Sequence, residues 1–539
     1  MRLGAAKDGN TQGKNSCSGR GRRSLLVVFL LSLGACVSMP PNESRNPSYA
    51  MMDTGDTTLG QGVAKDSSMN NGNTGALLLG DGLDAFVARA VLAHVAQRSL
   101  DVQYYLFHRD LTGRLLIDEL LKAADRGVRV RLLVDDMDMA GRDMGVATLQ
   151  THPNVEVRLF NPFARNRTRM GQYISRFGSV TRRMHNKSFT ADNQATIVGG
   201  RNIGNEYFSA DPDLAFADMD VLLAGPAVKE VSRSFDLYWN SALSYPVSNL
   251  GQPVPPASEV AVQREALRQY VSTQESSVYI QALNNSKLAS DIENDSVDFR
   301  WAKVEIFYDL PEKITASRDQ TELHLSEQLA PYFANVEKEA IILSPYFVPG
   351  KGGTKGLCAM SARGVDVTVL TNSLASTDVP VVHAGYIRYR KKLLQCGVHV
   401  FEANSKLVMA DPAGQYQRED GKKEKGLGLS RTSLHAKMFV FDREKTFIGS
   451  LNLDPRSVTE NTEIGSVIYS SEIGGELARI ILDKSPNIAF SLSLNERGKV
   501  IWSGFEEGRA VTYDKEPHTG FFKRLGVQIM RVLPIESQI

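Results

Sequence analysis

The sequence lacks three features that would each assign it quickly to a class of protein. No apolar run reaches the roughly 20 residues that a helix needs to cross about 30 Å of hydrocarbon; the run at 25–35 has 11. Charge is balanced, since 62 basic residues face 61 acidic ones, so no overall field attracts a polyanion. The four cysteines form no Cys-x-x-Cys pair, which leaves a zinc site without support. The remaining composition is globular, and 539 residues predict at least two domains.

The first 36 residues are typical of an export signal. A basic stretch precedes the short apolar run, and residues 33–36 resemble the bacterial lipobox, whose cysteine becomes the lipidated first residue of the mature chain. We therefore expect lipidation at Cys36 and an exported, membrane-anchored lipoprotein of the bacterial cell envelope. The alternatives are a plain cleaved signal peptide and a short uncleaved anchor.

Two further expectations follow from local composition and from export. Residues 37–75 are rich in small and polar residues with few large apolar ones, which predicts a flexible tether. Export permits a disulfide between Cys358 and Cys396. Two buried free thiols are the preferred interpretation of these cysteines.

From residue 76 onward, strand and helix patterns alternate, which predicts an α/β sandwich with a central sheet. The pattern occurs twice: Arg-Gly-Val recurs after 237 positions, and the segment 184–202 recurs at 434–452, after 250. A polar insertion at 410–430 accounts for the difference. The chain is therefore predicted to contain an internal duplication, with domains at 76–250 and 251–510 related by a pseudo-two-fold axis.

Residues 511–539 form a predicted amphipathic segment after the second domain. Its apolar side chains fall largely on one helical face, as expected for a helix lying in a bilayer interface. A helix docked on the protein body is an equally good interpretation. The apolar residues are Phe521, Phe522, Leu525, Ile529, Val532 and Leu533.

The duplicated segments "MHNKSFTADNQATIVGGRN" and "LHAKMFVFDREKTFIGSLN" carry the candidate catalytic residues. Each has a histidine and a lysine two positions apart, and on a strand such residues share a face. An aspartate follows five positions after each lysine, and an asparagine seventeen after each histidine. Two complete copies make a chance match remote. The residues are His185, Lys187, Asp192 and Asn202 in the first copy, and His435, Lys437, Asp442 and Asn452 in the second.

These residue types fit phosphodiester chemistry. A neutral histidine can attack phosphorus, and a second, protonated histidine can donate to the leaving oxygen. Lysine holds phosphate oxygens as a point charge, and asparagine amides can hold the non-bridging oxygens as charge shifts. The sequence therefore predicts cleavage through a covalent phosphohistidine. No metal and no cofactor is expected, because the lysines supply positive charge and no carboxylate cluster for Mg²⁺ is evident.

The two segments resemble the paired HKD motifs of the phospholipase D superfamily over about 75–510, and in detail those of bacterial cardiolipin synthases, closest to the C type. The resemblance implies the fold above and a role for each matching residue. His185 would be the nucleophile and His435 the general acid, then the base. Lys187, Lys437, Asn202 and Asn452 would bind phosphoryl oxygens, Asp218 and Glu463 would orient the histidines, and the motif residues Asp192 and Asp442 would brace the site.

The resemblance also implies the substrates. We expect a membrane-associated phosphatidyltransferase that makes cardiolipin, with phosphatidylglycerol and, as a further candidate, phosphatidylethanolamine as substrates, acting at a membrane surface. A phospholipase D that transfers to water is the main alternative. A nuclease is less favoured, although an arginine-rich stretch at 165–183 could follow a phosphate backbone. The same stretch could equally bind anionic lipid headgroups or form a solvated face. His383 and Tyr386 could line the headgroup pocket or pack within a helix.

Overall fold

The computed structural model describes residues 39–533, except for 43–44, 140, 142, 177, 212–213, 252–253, 295, 407–430 and 507. The predicted export signal with Cys36, and the predicted insertion at 410–430, lie outside the described residues. Among the described residues no helix is long and apolar enough to span a membrane.

The strands of the first half are β1 (Thr74–Leu79), β2 (Ser99–Tyr104), β3 (Arg129–Asp135), β4 (Val155–Phe160), β5 (Ser188–Ala191), β6 (Ala195–Gly199), β7 (Leu214–Ala217), β8 (Asp220–Ala224) and β9 (Ser244–Pro246). Those of the second half are β10 (Arg300–Tyr308), β11 (Glu339–Leu343), β12 (Asp366–Asn372), β13 (His399–Ala403), β14 (Arg431–Leu434), β15 (Met438–Phe441), β16 (Lys445–Gly449), β17 (Ile464–Tyr469), β18 (Ala489–Leu494), β19 (Val500–Glu506) and β20 (Arg509–Tyr513).

The helices of the first part of the chain are α1 (Thr58–Met69), α2 (Gly82–Val95), α3 (Leu111–Asp125), α4 (Asp143–Leu149), α5 (Arg169–Ser175), α6 (Val228–Asn240), α7 (Ala257–Gln274), α8 (Val278–Asn284) and α9 (Lys287–Glu293). Those of the remainder are α10 (Leu325–Asn335), α11 (Gly350–Ala362), α12 (Pro380–Gln395), α13 (Pro455–Thr459), α14 (Ser471–Ile488) and α15 (Phe521–Val532).

The same sheet is built twice. In the first half the order is β9-β4-β3-β2-β5-β6-β8-β1, and in the second half β10-β17-β16-β15-β11-β12-β13-β18-β19-β20. In both, three parallel strands continue into an antiparallel hairpin that contains the motif. The central strands are apolar runs, such as residues 340–343 of β11, because helices cover them. The predicted duplicated α/β fold is confirmed.

The two halves share a core. Strand β1 pairs antiparallel with β10, and β7 pairs parallel with β14, so each half contributes to both pairings. Apolar residues of the first half, including Val198 and Val221, pack against Ile448 and Ile464 of the second. This continuous interface sets the positions of the two motifs relative to each other.

The predicted flexible tether is wrong for its described part, residues 39–42 and 45–75. Asn42 is buried and donates to the carbonyls of Ala242 and Ser244, at 3.0 and 2.9 Å. The carbonyl of Ser48 accepts from Arg131, and helix α1 follows, capped by Thr57. The segment is polar because its side chains bond backbone groups, a pattern that composition alone does not distinguish from a solvated linker.

Helices α7–α9 lie on the first half, although the predicted boundary at 250 assigns them to the second. Leu283 and Leu288 are part of the core of the first half, and the amide of Leu288 donates to Asp84. The break in the sequence pattern near 250 marks the end of the first sheet, but the chain continues along the same half to about residue 294 before β10 begins.

The preferred interpretation of the cysteines as free thiols is also wrong. Cys358 in α11 and Cys396 at the end of α12 form a disulfide, with their Cα atoms 5.4 Å apart. The two helices lie side by side on the same face of the sheet, and this adjacency cannot be read from a separation of 38 residues.

Candidate active site

Each motif histidine is positioned by the opposite half of the chain. His185 lies just before β5, and its amide donates to the carbonyl of Thr462 at 2.8 Å. His435 follows β14, and its amide donates to the carbonyl of Ala217 at 2.8 Å. Because Asp218 and Glu463 come next after Ala217 and Thr462, the same pairings bring an acidic residue to each histidine.

The acidic residues meet the histidines across the pseudo-two-fold axis. Nδ1 of His185 lies 2.8 Å from Oε2 of Glu463, and Nδ1 of His435 lies 2.5 Å from Oδ2 of Asp218. A carboxylate on Nδ1 fixes the orientation of an imidazole and leaves Nε2 for chemistry. The arrangement matches the orienting contacts that the resemblance implied.

The motif lysines lie beside their histidines, as the i, i+2 spacing predicts. Nζ of Lys187 donates to the carbonyl of His185 at 2.7 Å. Nζ of Lys437 donates to the carbonyl of His435 at 2.5 Å and lies 2.8 and 3.1 Å from its two ring nitrogens. Both lysines are buried, and burial lowers the pKa of Lys187 well below its usual value and that of Lys437 to about 8. A bound phosphoryl group would favour the charged form of each, and that charge would act in a medium of low dielectric.

The asparagines are buried at the same centre. Nδ2 of Asn202 donates to the hydroxyl of Tyr207 at 2.9 Å, and its Oδ1 accepts from the amide of Leu106. Nδ2 of Asn452 lies 3.3 Å from Oγ of Ser457, whereas its Oδ1 has no hydrogen-bond partner among the described residues. Each Nδ2 carries two N–H groups and these contacts use one of them, so the other can donate to a phosphoryl oxygen; Oδ1 can only accept.

The two histidines differ in their electrostatic surroundings. Burial lowers the pKa of His185 well below its usual value, and both motif lysines and His435 lower it further. Burial and Lys437 also lower the pKa of His435, but Asp218 opposes them. The pKa of both imidazoles therefore lies below its usual value; the lowering is stronger at His185, which is neutral at pH 7, whereas at His435 the Asp218 carboxylate favours the protonated form and limits the lowering.

The two carboxyl groups differ in the corresponding way. Burial acts to raise the pKa of Asp218, but His435 and Lys437 outweigh burial and hold it below its usual value. Burial raises the pKa of Glu463 to about 7, despite the opposing charge of Lys187. Asp218 is thus firmly anionic beside His435, and Glu463 is only partly ionised beside His185.

Aromatic rings that the sequence analysis missed enclose the histidines. The Tyr105 ring meets His185 edge-on at 5.1 Å, and Phe216 stacks on His435 at 4.9 Å, where Tyr207 adds an edge contact. These rings restrict water and keep the imidazoles in place.

Asp192 and Asp442 lie away from this centre, at the far end of each hairpin. The Asp192 carboxylate accepts from the amides of residues 97, 98 and 99 at 2.7–3.2 Å. Asp442 accepts from residues 337, 338 and 339 at 2.7–3.3 Å. The positions of Asp192 and Asp442 therefore do not support grouping them with the catalytic residues. Their hydrogen bonds to backbone amides support a bracing role.

The arginine-rich stretch serves the fold. Arg183 pairs with Asp135 at 2.6 Å, Arg165 pairs with Asp136 at 2.6 Å, and Arg182 pairs with Glu460 of the other half at 2.8 Å. A guanidinium paired with a carboxylate forms a pair with no net charge, so these arginines contribute little attraction for a phosphate backbone.

Two groups of side chains among the described residues bring metal-type ligands together, both outside the motifs: His108 with Asp110 and Glu206, and His383 with Glu402 and Glu516. In the second group, Arg390 bridges the two carboxylates at 2.8 Å each. Tyr386 donates to Glu402, so His383 and Tyr386 belong to a buried network of α12. Neither group provides a step in the chemistry below.

Comparison with known proteins agrees with this geometry. Residues 92–239 and 329–483 match the family model "Cardiolipin synthase, PLD-like domain". The chain is 38% identical to cardiolipin synthase C of Escherichia coli over 470 residues, 87% of this chain and 97% of that protein. It is 24% identical to a cardiolipin synthase of Staphylococcus aureus over 420 residues, 75% of this chain and 66% of that protein.

Among solved structures, the chain is similar to phosphatidylserine synthase of Haemophilus influenzae, with a TM-score of 0.51 and 14% sequence identity. The match covers 87% of this chain and 96% of that one. At this identity the likeness concerns the fold, and it extends across both halves.

Proposed function

The chain belongs to the family of cardiolipin synthase, phospholipase D-like domains, and we propose that it makes cardiolipin by phosphatidyl transfer to phosphatidylglycerol through a covalent phosphohistidine. It is an enzyme of the phospholipase D-type phosphatidyltransferase class. The observation that carries the proposal is the unequal histidine pair: His185 is kept neutral, whereas His435 is paired with the anionic Asp218.

In the first step, Nε2 of neutral His185 attacks the phosphorus of the donor lipid. The bond from phosphorus to the headgroup oxygen breaks, and protonated His435 gives its proton to that oxygen, releasing glycerol if the donor is phosphatidylglycerol. The phosphatidyl group is left on His185. Lys187, Lys437 and the two asparagines hold the non-bridging oxygens as negative charge develops on them.

In the second step, neutral His435 takes the proton of a hydroxyl on the acceptor's headgroup glycerol. The resulting oxygen nucleophile attacks the phosphohistidine, and His185 leaves as a neutral imidazole. The product is cardiolipin, and both histidines return to their starting states. Water in place of the lipid hydroxyl would give phosphatidic acid, so the outcome depends on what enters the site.

The reaction is proposed to take place at the bacterial cell envelope, on a lipoprotein anchored through Cys36. The lipobox-like residues 33–36 support this location. The Cys358–Cys396 disulfide supports it independently, because structural disulfides are typical of exported proteins and rare in the reducing cytosol of mesophiles. Mass spectrometry of the mature N-terminus tests it, and an unmodified residue there would count against the anchor.

Lipid mass spectrometry tests the reaction itself. Purified protein is incubated with phosphatidylglycerol vesicles, with and without phosphatidylethanolamine, beside the variant His185→Ala. New cardiolipin only with the active protein supports the proposal, and the mixture that is required identifies the donor. Phosphatidic acid without cardiolipin would instead establish a hydrolase.

A further inference from the structure

We propose that the outer face of α15 is a bilayer-binding surface that inserts among anionic lipids beside the active site. The inference rests on the proposed use of lipid substrates and names the surface by which the protein meets them. It combines the two interpretations of the C-terminal segment that the sequence left open, since one face of the helix is docked on the protein and the other would meet the bilayer.

Helix α15 has two apolar faces, and the protein covers only the smaller one. Val527 is 1% exposed and packs with Leu374, Ala384 and Ile387, and Met530 lies against the same cluster. The helix is therefore docked on α12, which agrees with the interpretation of a helix packed on the protein body. However, the docked residues Val527 and Met530 do not belong to the apolar face that the sequence predicted.

The larger apolar face points away from the protein. Phe521, Phe522 and Val532 are 64%, 84% and 79% exposed, which is unusual for three large side chains on one short helix. Leu525, Ile529 and Leu533 continue the same face and are also exposed. A helix of 12 residues is about 18 Å long, too short to span a bilayer but suited to lie within its interface.

A short chain of contacts connects this helix to the catalytic centre. Leu374, against which Val527 packs, lies two residues after Asn372 at the end of β12. The side-chain Nδ2 of Asn372 donates to the backbone carbonyl of Leu434, which directly precedes His435. The helix thus lies at the edge of the second sheet where β12 ends and where His435 is located. Insertion of the helix into a bilayer would hold this edge, and the active site with it, against the lipid surface.

The charges around the helix favour an anionic bilayer as the occupant. Residues 515–533 contain Lys515, Lys523, Arg524 and Arg531 against a single acidic residue, Glu516, which is already paired with Arg390. Lys515 and Arg524 line a cavity of about 300 Å³ on the inner side of the helix, whose walls include Trp502 and Val527. Apolar side chains flanked by cations match the acyl region and phosphates of an anionic leaflet.

The test uses the full chain carrying Cys36→Ser, so that a lipid anchor does not mask the helix. Co-sedimentation is measured with vesicles of phosphatidylglycerol and phosphatidylethanolamine, and with phosphatidylcholine alone. The triple variant Phe521→Ser/Phe522→Ser/Val532→Ser is compared with the control Val254→Ser/Val262→Ser/Phe505→Ser, which removes exposed apolar residues elsewhere. Circular dichroism checks that both variants are folded.

We expect the triple variant to lose about tenfold or more in affinity for anionic vesicles, because three large apolar side chains no longer enter the bilayer. The control should bind as the parent does, and the parent should bind phosphatidylcholine more weakly than anionic vesicles. Equal binding by the parent and the triple variant would overturn the proposal. So would a lipid-free dimer of the parent that the triple variant converts to a monomer, since a second copy would then cover the face.

Activity in detergent micelles separates this inference from the proposed reaction. In micelles substrate reaches the site without bilayer docking, so parent, triple variant and control should make cardiolipin at similar rates. If none of them makes cardiolipin, the proposed function fails while the vesicle measurement still decides the role of α15.

Discussion

The imidazole of His185 is held by the carboxylate of Glu463, 278 residues further along the chain, with 2.8 Å between Nδ1 and Oε2. Oε2 also accepts a hydrogen bond from the hydroxyl of Ser450 at 2.5 Å, so the carboxylate is fixed from the second motif as well. Neither half of the chain therefore contains a complete histidine site. Each histidine is oriented only when the two halves are packed against each other at their shared interface.

Replacing Glu463 by glutamine should remove the carboxylate charge beside Nδ1 of His185 and can present an amide N–H there, which favours the wrong imidazole tautomer, while leaving the packing unchanged. We expect kcat to fall by about 10²- to 10⁴-fold, as for a catalytic histidine that loses its orienting carboxylate. The measurement is the rate of cardiolipin formation, with the exposed Glu496→Gln as the matched control. Full activity of Glu463→Gln would show that the contact is dispensable.

The same residue should make stability depend on pH. Burial raises the pKa of Glu463 to about 7 from 4.5, so between these pH values the folded protein binds more protons at this site than the unfolded chain. Its contribution to the free energy of unfolding therefore falls as pH rises through 4.5–7. In Glu463→Gln this contribution is absent, and denaturant unfolding at pH 5 and pH 7.5 should show a smaller loss of stability than in the parent. An unchanged difference would argue against the raised pKa.

The two histidines should behave differently when each is replaced. In the proposed mechanism, His435→Asn keeps the nucleophile and loses the acid and base, so a phosphatidyl adduct on His185 should accumulate because its release is slowed. His185→Asn should form no adduct. Intact-protein mass spectrometry after incubation with phosphatidylglycerol distinguishes them, and an adduct on His435 would reverse the roles.

The equivalent positions Gly200 and Ser450 should not be interchangeable. A Cβ added at Gly200 would lie 2.1 Å from Oδ1 of Asp218, so Gly200→Ser should displace the carboxylate that holds His435. We expect a loss of about 100-fold or more in kcat. Ser450→Gly removes the hydroxyl that donates to Glu463 and accepts from the amide of Ile464, but it creates no clash, so it should be the milder change. A Gly200→Ser variant as active as Ser450→Gly would show that the carboxylate of Asp218 is not displaced.

The bracing role of Asp192 predicts an effect on stability. Its buried carboxylate accepts from three successive amides, and Asp192→Asn removes the charge and one acceptor. We expect the free energy of unfolding to fall by about 1–3 kcal/mol. Denaturant unfolding measures it, and His185→Asn, which removes no such brace, serves as the comparison. A fully stable Asp192→Asn variant with no activity would point to chemistry instead.

Breaking the disulfide should destabilise the second half. Cys358 and Cys396 close a loop with a separation of 38 residues, for which the chain-entropy model gives about 4 kcal/mol. The double variant Cys358→Ser/Cys396→Ser should therefore unfold at lower denaturant concentration than the oxidised parent. Reduction of the parent should reproduce the effect, and a parent that is insensitive to reductant would show that the bridge contributes nothing.

Much of the site was predictable because its geometry is local. The spacing of His185 and Lys187 places both on one side of a strand end, whatever the rest of the chain does. The second copy at His435 and Lys437 made a chance match remote and implied two equivalent domains. The alternation of strands and helices predicted the sheets for the same reason, since periodicity depends on residues a few positions apart.

Other features depended on contacts between distant segments. Composition could not reveal that Asn42 bonds to backbone groups 200 residues away, so the segment around it was predicted to be flexible. Nor could it show that α11 and α12 bring Cys358 and Cys396 together. The aromatic ring on His435 comes from Phe216, which reaches it only because β7 and β14 pair across the halves.

The sequence by itself determined the duplicated α/β fold, the two motifs and the reacting residue types, because short-range spacing and apolar periodicity carry that information. Only the tertiary structure decided which acidic residue faces which histidine, how burial makes their pKa values unequal, and which face of α15 stays exposed. These properties depend on the packing of segments hundreds of residues apart. Electrostatic energies and burial are set by that packing and not by order along the chain.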